Sequence, residues 1–177
     1  MMYDETFHTT FAGVWGAQGE GDGQFTFPVG IAVGGTGNVY VTDLNNHQIQ
    51  VFNSAGQLIT RWGMKGVGDG QLINPWGIAL GPSDEVYVVE QGNNRIQMFT
   101  SSGQYVIKWG SNGTDAGQFV SPRGIAVDGL GNVYVADAGN HRVQKFGPVG
   151  EFLTEWGVEG SGDGQFSGLR GIAVDGF

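Results

Sequence analysis

Apolar residues come in short runs along this chain, and Gly, Pro, Asn or Asp bounds each run. No stretch keeps a helical period long enough to compete with a strand assignment. In the first complete stretch the pattern predicts four short strands, at about residues 30–33, 38–43, 48–53 and 58–63. The residues between them include Gly and Asn, which favour tight reversals, so we expect an antiparallel meander.

The second strand of this meander is apolar at consecutive positions, Val39, Tyr40 and Val41, rather than at alternate ones. Consecutive apolar positions indicate that both faces of the sheet are covered. A four-stranded sheet that is covered on both faces needs a neighbouring sheet on each side. Sheets packed radially around an axis supply these neighbours, and the sequence therefore predicts an all-β fold of the β-propeller type.

The pattern repeats every 47 residues without insertions. A Trp-Gly pair and a Gly-Ile-Ala-(Val or Leu) segment recur in this register, the first at Trp15, Trp62, Trp109 and Trp156 and the second from Gly30, Gly77, Gly124 and Gly171. We interpret the chain as a single propeller segment over residues 1–177. It divides into a tail and last-type strand at 1–15, repeats at 16–63, 64–110 and 111–157, and a partial repeat at 158–177.

Three further segments carry a family resemblance. Asn46–Phe52, Asn93–Phe99 and Asn140–Phe146 resemble the Asn-His-Leu-like signature of the NHL-repeat family, and the flanking Gly-Ile-Ala-Val and Asn-Val-Tyr-Val segments are similar to that family as well. The Trp-Gly pair does not fit the Trp-Asp dipeptide of the WD type. The resemblance implies a propeller of four-stranded antiparallel blades, here as an incomplete ring.

Counting strands predicts open ends. Residues 7–15 correspond to a last strand and residues 169–177 to a first strand, so we expect three full blades plus one strand at each end. Such an arc leaves one apolar face uncovered on each end blade, which favours association. We expect a homo-oligomer, preferably a dimer that completes a ring. The alternatives are a monomer whose terminal strands pair as a thin fourth blade, and an aggregation-prone fragment.

Composition excludes several classes of protein. The 177 residues include 34 Gly but no Cys, and 8 basic against 17 acidic side chains give a net charge of −9. Disulfides and Cys-based metal sites are therefore absent, and the acidic balance disfavours nucleic-acid binding. No apolar run approaches the ~20 residues of a membrane helix, and the acidic start lacks a signal-peptide layout. We expect a soluble protein without membrane or nucleic-acid partners, in an undetermined compartment.

Two kinds of candidate metal ligand recur in the repeats. His47 and His141 share one position, where the middle repeat has Asn94, and zinc binding there would resemble the amidating lyases of this fold. Two His and one Asn are a poor set of zinc ligands, so a structural role is favoured for these residues. Carboxylates in Gly-rich loops could bind calcium, but the loops lack the necessary density of ligands and fit turn formation better; these are Asp22, Asp69, Asp115 and Asp163. We predict no metal and no cofactor.

Acidic residues also end the second strand of each repeat. They are expected to accept hydrogen bonds from the backbone or from Arg95 and Arg142, which would orient the following loop rather than support catalysis. With the signature Asn residues, this predicted structural network comprises Asp43, Glu90, Asp137, Asn46, Asn93, Asn140, Arg95 and Arg142.

Binding is expected where the repeats differ. The residue before the first-strand Gly is Val29, Trp76, Arg123 or Arg170, at the predicted entrance to the innermost strand. Trp and Arg are common in binding hot spots, although Trp76 could equally pack against a neighbouring loop. The variable loops after the second strand are a further candidate surface.

No acid–base pair, activated nucleophile or phosphate-binding loop stands in a suitable context, so we predict no catalytic residue and no enzyme. The function that follows is a non-enzymatic propeller scaffold that self-associates and presents loop ends to a protein or peptide. Two alternatives are a fragment or engineered chain with no ligand of its own, and a remnant of a metal-dependent propeller enzyme.

Overall fold

The structure is a computed structural model that describes residues 13–175. Its elements are strands and one single-turn 3₁₀ segment at Ala138–Asn140. The strands are β1 (Ala17–Gln18), β2 (Gln24–Phe25), β3 (Pro28–Val33), β4 (Val39–Asp43), β5 (Gln48–Phe52), β6 (Leu58–Trp62), β7 (Pro75–Leu80), β8 (Val86–Glu90), β9 (Arg95–Phe99), β10 (Tyr105–Trp109), β11 (Ile125–Val127), β12 (Val133–Asp137), β13 (Arg142–Phe146), β14 (Phe152–Trp156), β15 (Val158–Glu159) and β16 (Gln165–Phe166).

Twelve of these strands form three antiparallel meanders in sequence order. We call them blade 1 (β3 to β6), blade 2 (β7 to β10) and blade 3 (β11 to β14). The predicted strand pattern is confirmed, and the bounds in blade 1 agree with the prediction to within two residues. The all-β propeller fold is confirmed with it, and within residues 13–175 the sheets do not close into a ring.

The blades pack face to face in chain order. We call the face of a blade that turns toward the next blade its forward face, and the opposite one its rear face. The forward face of blade 1, with Tyr40, Ile49 and Val51, packs on the rear face of blade 2, with Ile78 and Val88. Blade 2 packs in the same way on blade 3. Consecutive apolar positions in β4 and β8 are therefore buried from both sides, as the sequence predicts.

A Gly-rich entry loop precedes each blade. The entry loops are residues 16–27, 63–74 and 110–121, and residues 157–168 form a fourth, C-terminal entry loop. Each of the four doubles back on itself in parallel, through β1 with β2, through single bridges in the middle two loops, and through β15 with β16. The 47-residue repeat thus includes the connections as well as the blades.

The expected extra strands at the two ends are not formed by the described residues. Residues 7–12 of the predicted last-type strand lie outside the described residues, and residues 13–15 are not in a strand. Residues 169–175 pair with no strand among the described residues either. Residues 13–15 and 169–175 do not pair with each other, so the described residues show no thin fourth blade.

Candidate functional site

The four candidate binding residues occupy successive innermost positions. Val29 lies in β3 and Trp76 in β7, whereas Arg123 precedes β11 and Arg170 lies in the unpaired C-terminal segment. Neighbouring inner strands approach closely at the following glycine: a Cβ on Gly30 would lie 2.5 Å from the carbonyl oxygen of Trp76. The same approach recurs between Gly77 and Arg123 and between Gly124 and Arg170. The repeat therefore brings these positions into one row across the inner ends of the blades.

Two members of this row contact each other. The guanidinium carbon of Arg123 lies 5.0 Å from the centre of the Trp76 ring, a cation–π arrangement. Both side chains are half-buried, and Nε of Arg123 is buried without a hydrogen-bond partner. Trp76 thus packs on its neighbour and keeps part of its ring exposed, while Arg170 is exposed and Val29 is half-buried.

The carboxylates at the end of each second strand bind the entry loop that precedes their own blade. Asp137 accepts hydrogen bonds from the backbone N–H of Val120 at 2.8 Å, from Asn140 at 2.8 Å and from Arg142 at 2.9 Å. Glu90 accepts in the same way from the N–H of Ile73, from Asn93 and from Arg95. Asp43 accepts from the N–H groups of Thr26 and Phe27 and from Asn46, without an arginine donor. These residues fix loop to blade by charge-assisted hydrogen bonds.

The signature Asn residues complete this attachment. Asn46, Asn93 and Asn140 each donate to the backbone carbonyl of the glycine 27 residues earlier, at 2.9, 3.1 and 3.0 Å. Arg95 and Arg142 extend their guanidinium groups to three carbonyls apiece in the same entry loop. All eight residues of the predicted network therefore lie between a blade and its entry loop.

Sequence reasoning missed one residue of each attachment, a buried glutamine on the third strand. Gln97 accepts from the N–H of Gly70 at 2.9 Å and donates to the carbonyl of Gln71 at 2.7 Å. Gln50 and Gln144 make the same pair of bonds in the other blades. The signal was present, since these glutamines recur at 47-residue intervals four positions after the signature Asn.

Side chains at the repeated His position accept hydrogen bonds from the backbone. His47, Asn94 and His141 all adopt positive φ, between 50° and 54°, which suits Asn and His better than most residues. Nδ1 of His47 accepts from the N–H of Asn74 at 3.2 Å, and Oδ1 of Asn94 accepts from the N–H of Ser121 at 2.8 Å. Burial is the main cause that lowers the pKa of His47, and nearby Lys65 lowers it further. The neutral imidazole thus joins one blade to the next entry loop.

No group of three or more His, Asp or Glu side chains comes within reach of a shared metal ion in residues 13–175. Two of the loop carboxylates instead contact a basic residue of the outermost strand, Asp22 with Arg61 at 3.0 Å and Asp69 with Lys108 at 2.5 Å. These pairs are largely exposed, and such pairs add little stability. No helix in the described part of the chain is long and apolar enough to span a membrane.

Two aromatic contacts recur at each interface between blades. The Tyr87 hydroxyl donates to the carbonyl of Pro148 in the next blade at 3.0 Å, and Tyr40 lies 3.5 Å from the carbonyl of Ser101 in the same way. Burial raises the pKa of Tyr87 to about 12, so it remains a donor. The Trp at the end of each outer strand lies against a hairpin glycine of the next blade, Trp62 over Gly103 and Trp109 over Gly150.

The forward face of blade 3 has the donors of these contacts, and within residues 13–175 no further blade receives them. Trp156 remains 43% exposed. The hydroxyl of Tyr134 turns to Asp128 at 3.0 Å, and Nζ of Lys145 lies 5.0 Å from the centre of the Tyr134 ring. The contact with Tyr134 raises the pKa of Lys145, so this amine is charged. Lys145 occupies the position of buried Val51 and Met98 in the other blades, so the charge is peculiar to this open face.

The rear face of blade 1 is open only along its inner part. Ile31 and Val33 are each 65% exposed, although their counterparts Ile78 and Leu80 pack against blade 1. The outer part is covered, because the rings of Trp15 and Phe25 lie 4.5 and 5.8 Å from that of Phe52. Trp15 also lies over Gly56, in the place that Trp62 takes on blade 2.

Four-stranded antiparallel blades that repeat at a fixed interval and pack face to face define a β-propeller protein. A family model described as the NHL repeat matches residues 25–52, 72–99 and 119–146, each from the entry loop to the third strand of one blade. Each of the three complete repeats of this chain therefore contains an NHL repeat.

Individual relatives agree with this assignment. The chain is 51% identical to the B-box type zinc finger protein ncl-1 of Caenorhabditis elegans over a stretch of 43 residues. This stretch covers 24% of this chain and 5% of that protein. A catalytically inactive virginiamycin B lyase from Staphylococcus aureus with quinupristin matches with a TM-score of 0.63 and 21% identity, over 84% of this chain and 46% of the lyase. A chain of a nidogen/laminin complex matches with a TM-score of 0.59 and 23% identity, over 72% and 48% of the two chains.

These structural matches show the fold alone, because their sequence identities are low. The chain spans less than half the length of the two solved propellers and a small part of ncl-1. Each solved relative therefore presents more chain than the three blades described above.

Proposed function

We propose that this chain is a non-enzymatic propeller scaffold that self-associates through its two open faces and presents the inner ends of its blades to a protein or peptide. The observation that carries the proposal is the pair of incomplete interfaces, the exposed Ile31 and Val33 at one end and the exposed Trp156 at the other. Apolar surface of this kind gains free energy when it is covered, at roughly 25 cal/mol per Å².

The two open faces are complementary in type. One is a rear face and the other is a forward face, and a forward face packs on a rear face at both internal interfaces. A second copy can therefore cover the open face of the first with contacts that the chain already uses. A head-to-tail contact of this kind closes into a ring when the rotation permits it.

The repeated polar residues are committed to the fold, which supports a role other than catalysis. The carboxylates of the network hold entry loops, and His47 accepts a backbone hydrogen bond. The residues left for recognition are those that vary, Trp76 with Arg123 and the exposed Arg170. Their positive charge in a protein of net charge −9 favours a carboxylate-bearing segment of the partner.

Sedimentation velocity over a range of concentrations tests the self-association. We expect the wild-type chain to sediment as a dimer or larger ring, and Ile31→Glu with Val33→Glu to shift it to the monomer. Val67→Glu is the matched control, because Val67 is 69% exposed on an entry loop away from the open faces. A wild-type chain that remains monomeric at millimolar concentration would refute the self-association.

A peptide array of acidic and aromatic sequences tests the recognition surface. We expect binding that Arg123→Gln weakens and that Lys108→Gln, on the outer strand, leaves unchanged. Equal loss with both variants would indicate nonspecific attraction of charge rather than a site at the inner ends.

A further inference from the structure

The two ends of the described chain carry the same structural element. Residues 15–34 and 156–175 lie 141 residues apart, three repeat lengths, and share the Trp-Gly pair, the Gly-Asp-Gly-Gln-Phe segment and the Gly-Ile-Ala-Val segment. Their parallel pairs have the same register, Ala17 with Gln24 at one end and Val158 with Gln165 at the other. When the C-terminal end of one copy meets the N-terminal end of another, both ends bring this element, although the junction has room for only one.

The two copies of the element are held very differently. Entry loop 16–27 is bound to blade 1 by hydrogen bonds from or to Asp43, Asn46 and Gln50. Every hydrogen bond that the structure shows for residues 157–175 stays within that segment. The C-terminal entry loop has the shape of the others, but no blade among the described residues follows and binds it, so it is the weaker competitor for the place beside blade 3.

For the two Trp residues, the C-terminal copy is the one held more firmly by its own strand. Trp156 ends β14, which pairs with β13 at four positions. Trp15 occupies the place over Gly56, but residues 13–15 belong to no strand. Trp156 is therefore presented on a paired strand without a glycine to cover, whereas Trp15 covers a glycine from an unpaired segment.

We propose that two copies join by exchange of these equivalent segments, an inference that rests on the self-association proposed above. Trp156 of one copy displaces Trp15 from Gly56 of the second copy. Entry loop 16–27 and β3 of the second copy displace residues 157–175 of the first from blade 3. In the single chain, Trp15 and the C-terminal segment thus occupy the places that Trp156 and entry loop 16–27 of another copy take in the dimer.

The exchange reproduces the internal interface at the junction. The Tyr134 hydroxyl, which bonds to Asp128 in the single chain, meets the carbonyl of Ser54 in the second copy, the position equivalent to Ser101 and Pro148. The displaced residues lose no hydrogen bond to a blade; they give up the close approach of Arg170 to Gly124, the 3.9 Å contact of Glu159 with His141 and the contacts of one Trp. The entry loop that replaces them arrives already bound to its blade.

Two substitutions at the same repeat position test the exchange, Trp15→Ala and Trp156→Ala. Both remove an identical side chain from an open face, so a simple apolar contact predicts weaker association for both. The exchange predicts opposite signs: Trp15→Ala removes a competitor and lowers the dimer dissociation constant at least about tenfold, and Trp156→Ala raises it by at least about tenfold. Sedimentation equilibrium measures both, and circular dichroism checks that each variant folds.

Hydrogen exchange on the wild-type chain gives an independent readout if a variant fails to fold. As concentration rises, the exchange model predicts faster exchange in peptides from 157–175 and unchanged protection in 16–27. Weaker association of both variants, or added protection at both ends, would overturn the exchange and leave self-association standing. Wild-type and variant chains that all stay monomeric would overturn both.

Discussion

Arg142 and Asp137 form a buried ion pair in which Nε of the arginine donates to Oδ2 of the carboxylate at 2.9 Å. The same guanidinium reaches the carbonyls of Thr114, Asp115 and Gln118 in the entry loop. The pair thus links the blade to the chain that leads into it. Blade 1 differs at this position, where Gln48 leaves its Nε2 buried without a partner.

We expect Arg142→Gln to lower the free energy of unfolding by about 3 kcal/mol, because it leaves a buried carboxylate and three carbonyls with fewer donors. Urea unfolding measures the change. Gln48→Arg is the matched reverse substitution, and we expect it to raise stability by about 1 kcal/mol as it gives Asp43 and the first entry loop the same donor. Equal destabilisation by both would contradict the role assigned to the arginine.

The contact between Trp62 and Gly103 predicts a large cost for a single methyl group. Gly103 has φ of +85°, and a Cβ there would lie 2.5 Å from the Trp62 ring. We expect Gly103→Ala to cost about 3 kcal/mol in thermal or urea unfolding, from backbone strain and lost packing together. Gly117→Ala is the control, since its φ is +78° but no atom lies within 4 Å, and strain alone predicts about 1 kcal/mol.

Protonation of His47 should weaken the interface between blade 1 and the next entry loop. Its pKa is lowered in the folded state, chiefly by burial, so below about pH 6.5 the unfolded chain binds a proton that the folded chain resists. Stability is therefore expected to fall as pH decreases from about 6.5 through the lowered pKa of His47. His47→Asn, which copies Asn94, should reduce this dependence in urea unfolding at several pH values. An unchanged pH profile would show that the imidazole makes no net contribution.

Lys145 places a positive charge on a face that association would cover. We expect Lys145→Met, which restores the residue type of Met98, to tighten self-association at least about threefold because no charge then loses its hydration. Lys108→Met, on the outer strand of blade 2, is the control for loss of charge alone. Sedimentation equilibrium compares the two, and equal effects would indicate that the open face of blade 3 is not the contact.

Much of the fold could be read from the residues. The spacing of Trp15, Trp62, Trp109 and Trp156 gave the repeat, and consecutive apolar residues at Val39 to Val41 predicted cover on both faces. The acidic strand ends were expected to accept hydrogen bonds from Arg95 and Arg142, and Glu90 and Asp137 lie within hydrogen-bond distance of these side chains. Gln50, Gln97 and Gln144 recur at the same interval but were not predicted to be buried, because a glutamine is ordinarily exposed to solvent.

The blades follow from the residues alone, because a short apolar run bounded by turn residues defines each strand and the 47-residue register defines each loop. How the ends are covered became apparent only from the packing of the folded chain. Trp15 lies over Gly56 while residues 169–175 stay unpaired, although both ends carry the same sequence element. This difference arises because a repeat motif encodes the contacts that it can make, whereas its stability depends on whether a neighbouring blade is present to make them.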